Sequence, residues 1–183
     1  MTSFRKLIIS ASATALLSTG AFANPMVGGA PMYATKNIIQ NAVNSKDHTT
    51  LVAAVKAAGL VDTLQSAGPF TVLAPTNEAF AALPAGTVAT LLKPENKAKL
   101  VKILTCHVIA GDVMAKTIVK MAKDDGGTHE VKTVGGCTLR LSASNGVVKI
   151  RDESGGTARV MIADVKQSNG VIHVINHVLL PKS

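Results

Sequence analysis

Phe70-Thr71-Val72-Leu73-Ala74-Pro75-Thr76-Asn77-Glu78-Ala79-Phe80 reads as a buried strand that runs directly into a capped helix. Phe70 to Ala74 is a short apolar run of β-forming type, bounded by Gly68-Pro69 before it and Pro75 after it. Thr76 then stands where an N-cap belongs. Its hydroxyl can accept from the amides of the turn opened by Asn77, Glu78 and Ala79, while Phe80 turns inward. Asn77 reads as a turn-stabilising amide beside that cap.

Upstream, Ile38, Ile39, Ala42 and Val43, then Leu51, Ala54, Val55 and Ala58, recur at helical spacing, with Asp47 placed to cap and Gly59 to terminate. Two short helices are expected, with one more turn at Leu60, Val61 and Leu64. Pro25, Gly28, Gly29 and Pro31 suit neither helix nor strand, so 24–35 is expected to be a flexible leader to a domain over 36–183. Downstream, Pro94 fits a first helical position. Leu100, Val101, Ile103, Leu104 and Val108 form an apolar stripe, with Lys97, Lys99 and Lys102 outside, predicting a helix closed by Gly111. Val113 to Met121 predicts another, with Ile118, Met121 and Ala122 on one face and Lys116, Lys120 and Lys123 on the other.

After Asp124-Asp125-Gly126-Gly127 the texture becomes β. Gly135-Gly136, Asn145-Gly146, Gly155-Gly156 and Asn169-Gly170 are two-residue turn signals between short alternating runs. They predict strands over 129–134, 137–143, 147–152, 158–165 and 171–180, joined as a meander. Helices in the first half and hairpins in the second define an α+β domain, with N-terminal helices packed on one face of a predominantly antiparallel C-terminal sheet.

At the N-terminus, Arg5 and Lys6 precede an apolar run from Leu7 to Leu17, and Ala21-Phe22-Ala23 supplies a small-x-small cleavage site. This is the layout of a signal peptide over 1–23, too short in its apolar part to span a membrane. Export to the periplasm or the extracellular space is the expectation. The remaining 160 residues suit one domain with a sizeable core. Removing 1–23 takes away Arg5 and Lys6 and no acid, which lowers the formal charge from +8 to +6. With one Tyr, four Phe and no Trp there is little for base stacking, so nucleic acid is not expected as a partner. Acidic glycans or anionic surfaces fit better, and Lys116, Lys120 and Lys123 are either a contact for them or a solvated face.

Cys106 and Cys137 are the chain's two cysteines. In an exported protein they are expected to form a disulfide, the alternative being buried free thiols. The five histidines, His48, His107, His129, His173 and His177, show no metal-binding spacing, and no nucleophile elbow or phosphate-binding loop is present. Neither an enzyme nor a bound metal or cofactor is expected.

The Phe70 to Phe80 run resembles the first homology block of fasciclin domains, and Asn169-Gly170-Val171-Ile172-His173-Val174-Ile175-Asn176 with Val178-Leu179-Leu180-Pro181 resembles the second. Leu104-Thr105-Cys106-His107-Val108-Ile109 resembles the central Tyr-His segment, with Cys106 in place of Tyr. The resemblance implies a wedge-shaped α+β domain used in cell adhesion and extracellular or periplasmic interactions, without general catalytic activity. Its partner would be a protein or glycan of the cell surface or envelope. It further implies partner-binding candidates at His107 and at the dipeptide Asp164-Val165. His107 would otherwise be a hydrogen-bonded core histidine, and Asp164 an acceptor for its own turn. His173 lies within the second block as a packed histidine. The competing reading is a periplasmic ligand-binding or sensory accessory.

Overall fold

The computed structural model describes residues 24–182, so the expected signal peptide over 1–23 lies outside the described residues. The described residues open with a hairpin, β1 (Met26–Val27) and β2 (Ala30–Pro31), followed by helices α1 (Ile38–Ala42), α2 (Thr49–Ala58) and α3 (Val61–Gln65). Next come β3 (Phe70–Pro75), α4 (Asn77–Ala81), α5 (Thr87–Leu91), α6 (Lys97–Thr105), β4 (Val108–Ala110) and α7 (Ala115–Asp124). Five strands complete it: β5 (Thr128–Lys132), β6 (Thr138–Ser144), β7 (Val147–Arg151), β8 (Thr157–Gln167) and β9 (Gly170–Ile175).

Seven strands form one sheet in the order β4-β3-β9-β8-β7-β6-β5. The last five are an antiparallel meander, as their turn signals predict. β3 joins that meander at its end, pairing parallel with β9 from Phe70↔Gly170 to Pro75↔Ile175. The fold is α+β.

β3 and β9 are buried on both faces, which is why each reads as a continuous apolar run rather than an alternating one. Val72, Ala74, Ile172 and Val174 point into a core shared with α1 to α6. Leu73 and Ile175 point the other way, into a second core with Ile118 of α7 and the inward residues Leu139, Leu141, Val148 and Ile150. The expectation that helices cover one face is therefore corrected. α7 follows β4 on the far edge and takes the opposite face, closing a core that the β5–β8 half could not close alone.

Three local expectations are also corrected. The leader is not free chain: β1 and β2 form a hairpin that buries Val27 and Met32 in the first core. Gly28 and Gly29, at φ 57° and 76°, supply the left-handed turn that such a two-residue hairpin requires. The helix through Val108 stops at Thr105, because Val108-Ile109-Ala110 pairs with the edge of β3 and satisfies its open backbone groups. Asp47 does not cap α2. Asn77 does so from outside, its Oδ1 accepting from Thr50 N–H at 3.0 Å and from the Thr49 hydroxyl at 3.2 Å while its amide donates to Lys46 O at 2.8 Å. Thr76 caps α4 as expected, accepting from Ala79 N–H at 3.3 Å. Cys106, just past α6, and Cys137, just before β6, are disulfide-bonded with Cα atoms 5.4 Å apart.

Candidate interaction surface

Of the proposed partner-binding residues, two are inside the protein. His107 follows α6 and is 2% exposed. Its Nδ1 lies 2.8 Å from Ile103 O and its Nε2 accepts from Leu179 N–H at 2.9 Å, which places the ring proton on Nδ1. Burial pushes its pKa down to about 4, with partial relief from the Ile103 carbonyl. The ring is a brace between α6 and the C-terminal segment, out of reach of any partner. Val165 is 0% exposed and belongs to the first core, so it offers no apolar surface beside Asp164.

Asp164 sits at φ 58° within the irregular stretch of β8 where the register shifts. A short polar side chain tolerates that conformation better than most. Its carboxylate accepts from Ala115 N–H at 2.7 Å, the first amide of α7, whose N-cap residue Met114 has no side-chain acceptor. Its own N–H donates to His173 Nδ1 at 3.2 Å, and His173 Nε2 lies 2.8 Å from Val113 O. Thr71 completes the fastening, accepting from Val113 N–H at 2.8 Å and donating to Gly111 O at 2.7 Å. The corner holds the β4–α7 connection to the sheet.

Asp164→Ala is accordingly expected to destabilise by about 2 kcal/mol, roughly half from the lost cap and half from the left-handed backbone. Asp164→Asn keeps both features and should cost at most ~0.5 kcal/mol. Urea denaturation of the pair checks this; equal losses would remove the capping role.

The charged surface lies elsewhere. Lys116, Lys120 and Lys123 are exposed on α7, and Lys120 pairs with Asp124 at 2.5 Å. A denser basic group occupies the outer face of the meander. Alternation along the strands turns Thr128 and Glu130 of β5, Arg140 and Ser142 of β6, Lys149 and Arg151 of β7, and Thr157 and Arg159 of β8 away from α7. Cα register sets Arg140 directly opposite Arg151, and Lys149 directly opposite Arg159. Among the described residues Glu130 alone forms an ion pair with these four cations, bonding Arg140 Nε at 2.9 Å. Glu153 stands at the rim, where the amides of Thr138 and Lys182 hold its pKa below the ordinary carboxylate value. A shallow groove lined by Thr128, Glu130, Arg140, Ser142, Lys149, Arg151 and Thr157 crosses this face. Composition alone did not locate it, because the four cations are dispersed over β6 to β8 and converge only through register.

Inside the protein, two apolar voids of about 40 and 30 Å³ lie between α1, α2 and β3. Each has room for little more than a water molecule, against the ~300 Å³ or more of a small-molecule site. His48 borders the second; its Nδ1 lies 2.8 Å from Ser45 Oγ, its Nε2 has no hydrogen-bond partner, and burial lowers its pKa. Among the described residues no group of three His, Cys, Asp or Glu side chains is placed to hold a metal ion. No helix among them is long and apolar enough to cross a membrane.

The fold is an α+β domain in which His107, Asp164 and His173 bond to its own backbone. Residues 46–181 match the model of the Fasciclin domain, and the chain belongs to that family. It is 51% identical to Protein sll1483 of Synechocystis over 79% of this chain and 73% of that protein. It is 40% identical to the transforming growth factor-beta-induced protein ig-h3 of Sus scrofa, over 72% of this chain and 17% of that much longer protein. A FAS1 domain pair from the insect cell adhesion molecule fasciclin I shares the fold, with TM-score 0.71 at 19% identity over 79% of this chain and 51% of that one.

Proposed function

We propose that this chain is an exported, non-enzymatic interaction protein of the periplasm or cell exterior, acting in adhesion or in envelope and matrix association. The observation that carries the reading is the disposition of its polar groups. His107 and Asp164, the two polar residues that resemble a binding motif, are committed to bonds with the backbone, while among the described residues Lys149, Arg151 and Arg159 stand without an ion pair on an open strand face. An open face suits contact with a large partner, and voids of 40 Å³ do not suit a small ligand. Membership of the fasciclin-domain family supports the same reading, since one structural relative is a cell adhesion molecule.

Fractionation of expressing cells followed by a pull-down from envelope and culture-medium extracts tests it. The protein should be recovered outside the cytoplasm, cleaved near Asn24, and should retain a surface component reproducibly. Full-length protein confined to the cytoplasm would overturn the export reading. Turnover of a substrate by purified protein would overturn the non-enzymatic one.

A further inference from the structure

We infer that the outer face of β6, β7 and β8, centred on Arg140, Lys149, Arg151 and Arg159, binds an anionic polysaccharide carrying carboxylate or sulfate groups. The inference rests on the reading of the chain as an exported surface protein. Its first support is register. Arg140 faces Arg151 and Lys149 faces Arg159 across neighbouring strands, and like charges directly opposite destabilise a sheet. Two such pairs side by side place four cations ~5 Å apart across the strands and ~7 Å apart along them. Glu130 partners Arg140, and no second carboxylate among the described residues pairs with the group. A chain of anions lying along the face removes that repulsion.

The second support is what surrounds the charges. Thr128, Ser142 and Thr157 line the same groove, and a hydroxyl both donates to and accepts from sugar hydroxyls. β5 to β8 carry no Phe, Tyr or Trp, and His129 lies on the alternate positions of β5 from Thr128 and Glu130, so this face offers nucleic-acid bases no ring to stack on. Met161 is the one exposed large apolar residue on these strands, too little to enter a bilayer or to form the dry centre of a protein interface. Charge with hydroxyls and without apolar anchors fits a hydrated polyanion.

The test uses purified protein with alginate, dextran sulfate, neutral dextran, and vesicles of phosphatidylglycerol and phosphatidylcholine. Binding to alginate or dextran sulfate, absent for neutral dextran and weakened by added salt, is expected. The variant Arg140→Gln/Lys149→Gln/Arg151→Gln/Arg159→Gln should lose at least about tenfold in affinity. The variant Lys99→Gln/Lys116→Gln/Lys120→Gln/Lys123→Gln removes the same charge from the helices and should lose less than about twofold. Equal loss in both variants would assign the binding to net charge and overturn the inference. So would absence of binding to both polymers, or vesicle binding that the strand variant abolishes equally. Alginate alone or dextran sulfate alone would support it and select the carboxylate or the sulfate. The strand variant loses repulsive pairs and should melt no lower than the parent. If it does melt lower, alginate titration of the unaltered protein followed by amide NMR replaces it: shifts must concentrate on β6–β8, and shifts concentrated on α7 overturn the inference. Capture of an envelope protein without polymer binding would leave the proposed function standing and remove only the polysaccharide.

Discussion

Replacing both cysteines, as Cys106→Ala/Cys137→Ala, is expected to destabilise the protein by about 3–4 kcal/mol. The bond joins residues 31 apart in sequence, and closing a loop of that length removes this much chain entropy from the unfolded state. Between the two cysteines lie β4, α7 and β5, the elements that carry the chain from one edge of the sheet to the other. The junction has other fastenings: Gly135 N–H donates to Thr105 O at 3.0 Å and Val134 N–H to Val108 O at 2.7 Å. The variant should therefore keep the native fold and unfold at a lower urea midpoint, with a slightly larger slope because its unfolded chain exposes more surface. Both cysteines are buried, at 1% and 2%, so a reductant reaches the bond slowly without denaturant. A loss under ~1 kcal/mol would show that the cross-link restrains little. Uptake of two alkyl groups by unreduced, denatured protein would show that the bond is absent.

The parts of the fold legible in the sequence are those with local signals. Asn145-Gly146 and Asn169-Gly170 fixed two hairpins, and Thr76 fixed the start of α4, because turn and cap chemistry acts within a few residues. Asn37-x-x-Gln40 carried the same kind of signal for α1, a reciprocal capping box with bonds of 2.9 and 3.0 Å that periodicity alone passed over. The parallel pairing of β3 with β9 joins segments 100 residues apart and left only an indirect trace, their unbroken apolar runs. The spacing of Val108 from Leu104 fits either period, so periodicity predicts helix there, and the open edge of β3 makes it strand instead. Asn169 shows how far tertiary context reaches. Its side chain accepts from Ile38 N–H at 3.0 Å and donates to Leu64 O and Ser66 O at 2.9 Å each, tying a hairpin turn to two distant helices.

The site was less legible than the fold for a related reason. A motif-like residue such as His107 or Asp164 is identified by its neighbours in sequence, and nothing there says whether its polar atoms meet solvent or backbone. The strand face posed the opposite difficulty. No stretch of β6, β7 or β8 is a run of basic residues, yet pairing brings Arg140, Lys149, Arg151 and Arg159 from three strands onto one patch. Turn signals mark where the strands reverse but overrun their ends, as at β9, which stops at Ile175 rather than at residue 180, and only the register sets Arg140 against Arg151.

Acidification from pH 7 to pH 5 is expected to remove about 2 kcal/mol of stability through His107. Its folded pKa of about 4 lies below the 6.5 of an unperturbed histidine, chiefly because the ring is buried. The unfolded chain therefore binds a proton between those values while the native state does not. Stability from this group is complete above about pH 6.5, falls as pH drops towards 4, and changes no further below that. The geometry gives the same sign: protonation at Nε2 would set a donor against the Leu179 N–H that Nε2 now accepts. His48, also lowered by burial, adds in the same direction. Glu78 and Glu153, whose carboxyls are held below the ordinary glutamate value by hydrogen bonds, contribute stability that is lost as pH falls further into the acid range. His107→Ala should cost about 3 kcal/mol at pH 7, because it opens a cavity and strands the Leu179 N–H. Ile103 O keeps a second donor, Cys106 N–H at 3.1 Å, and is not left unpaired. Urea midpoints for the parent and His107→Ala at pH 7, 6 and 5 check the assignment. The variant should show most of the parent's slope between pH 7 and 5 removed, and parallel slopes would mean that the proton is taken up elsewhere.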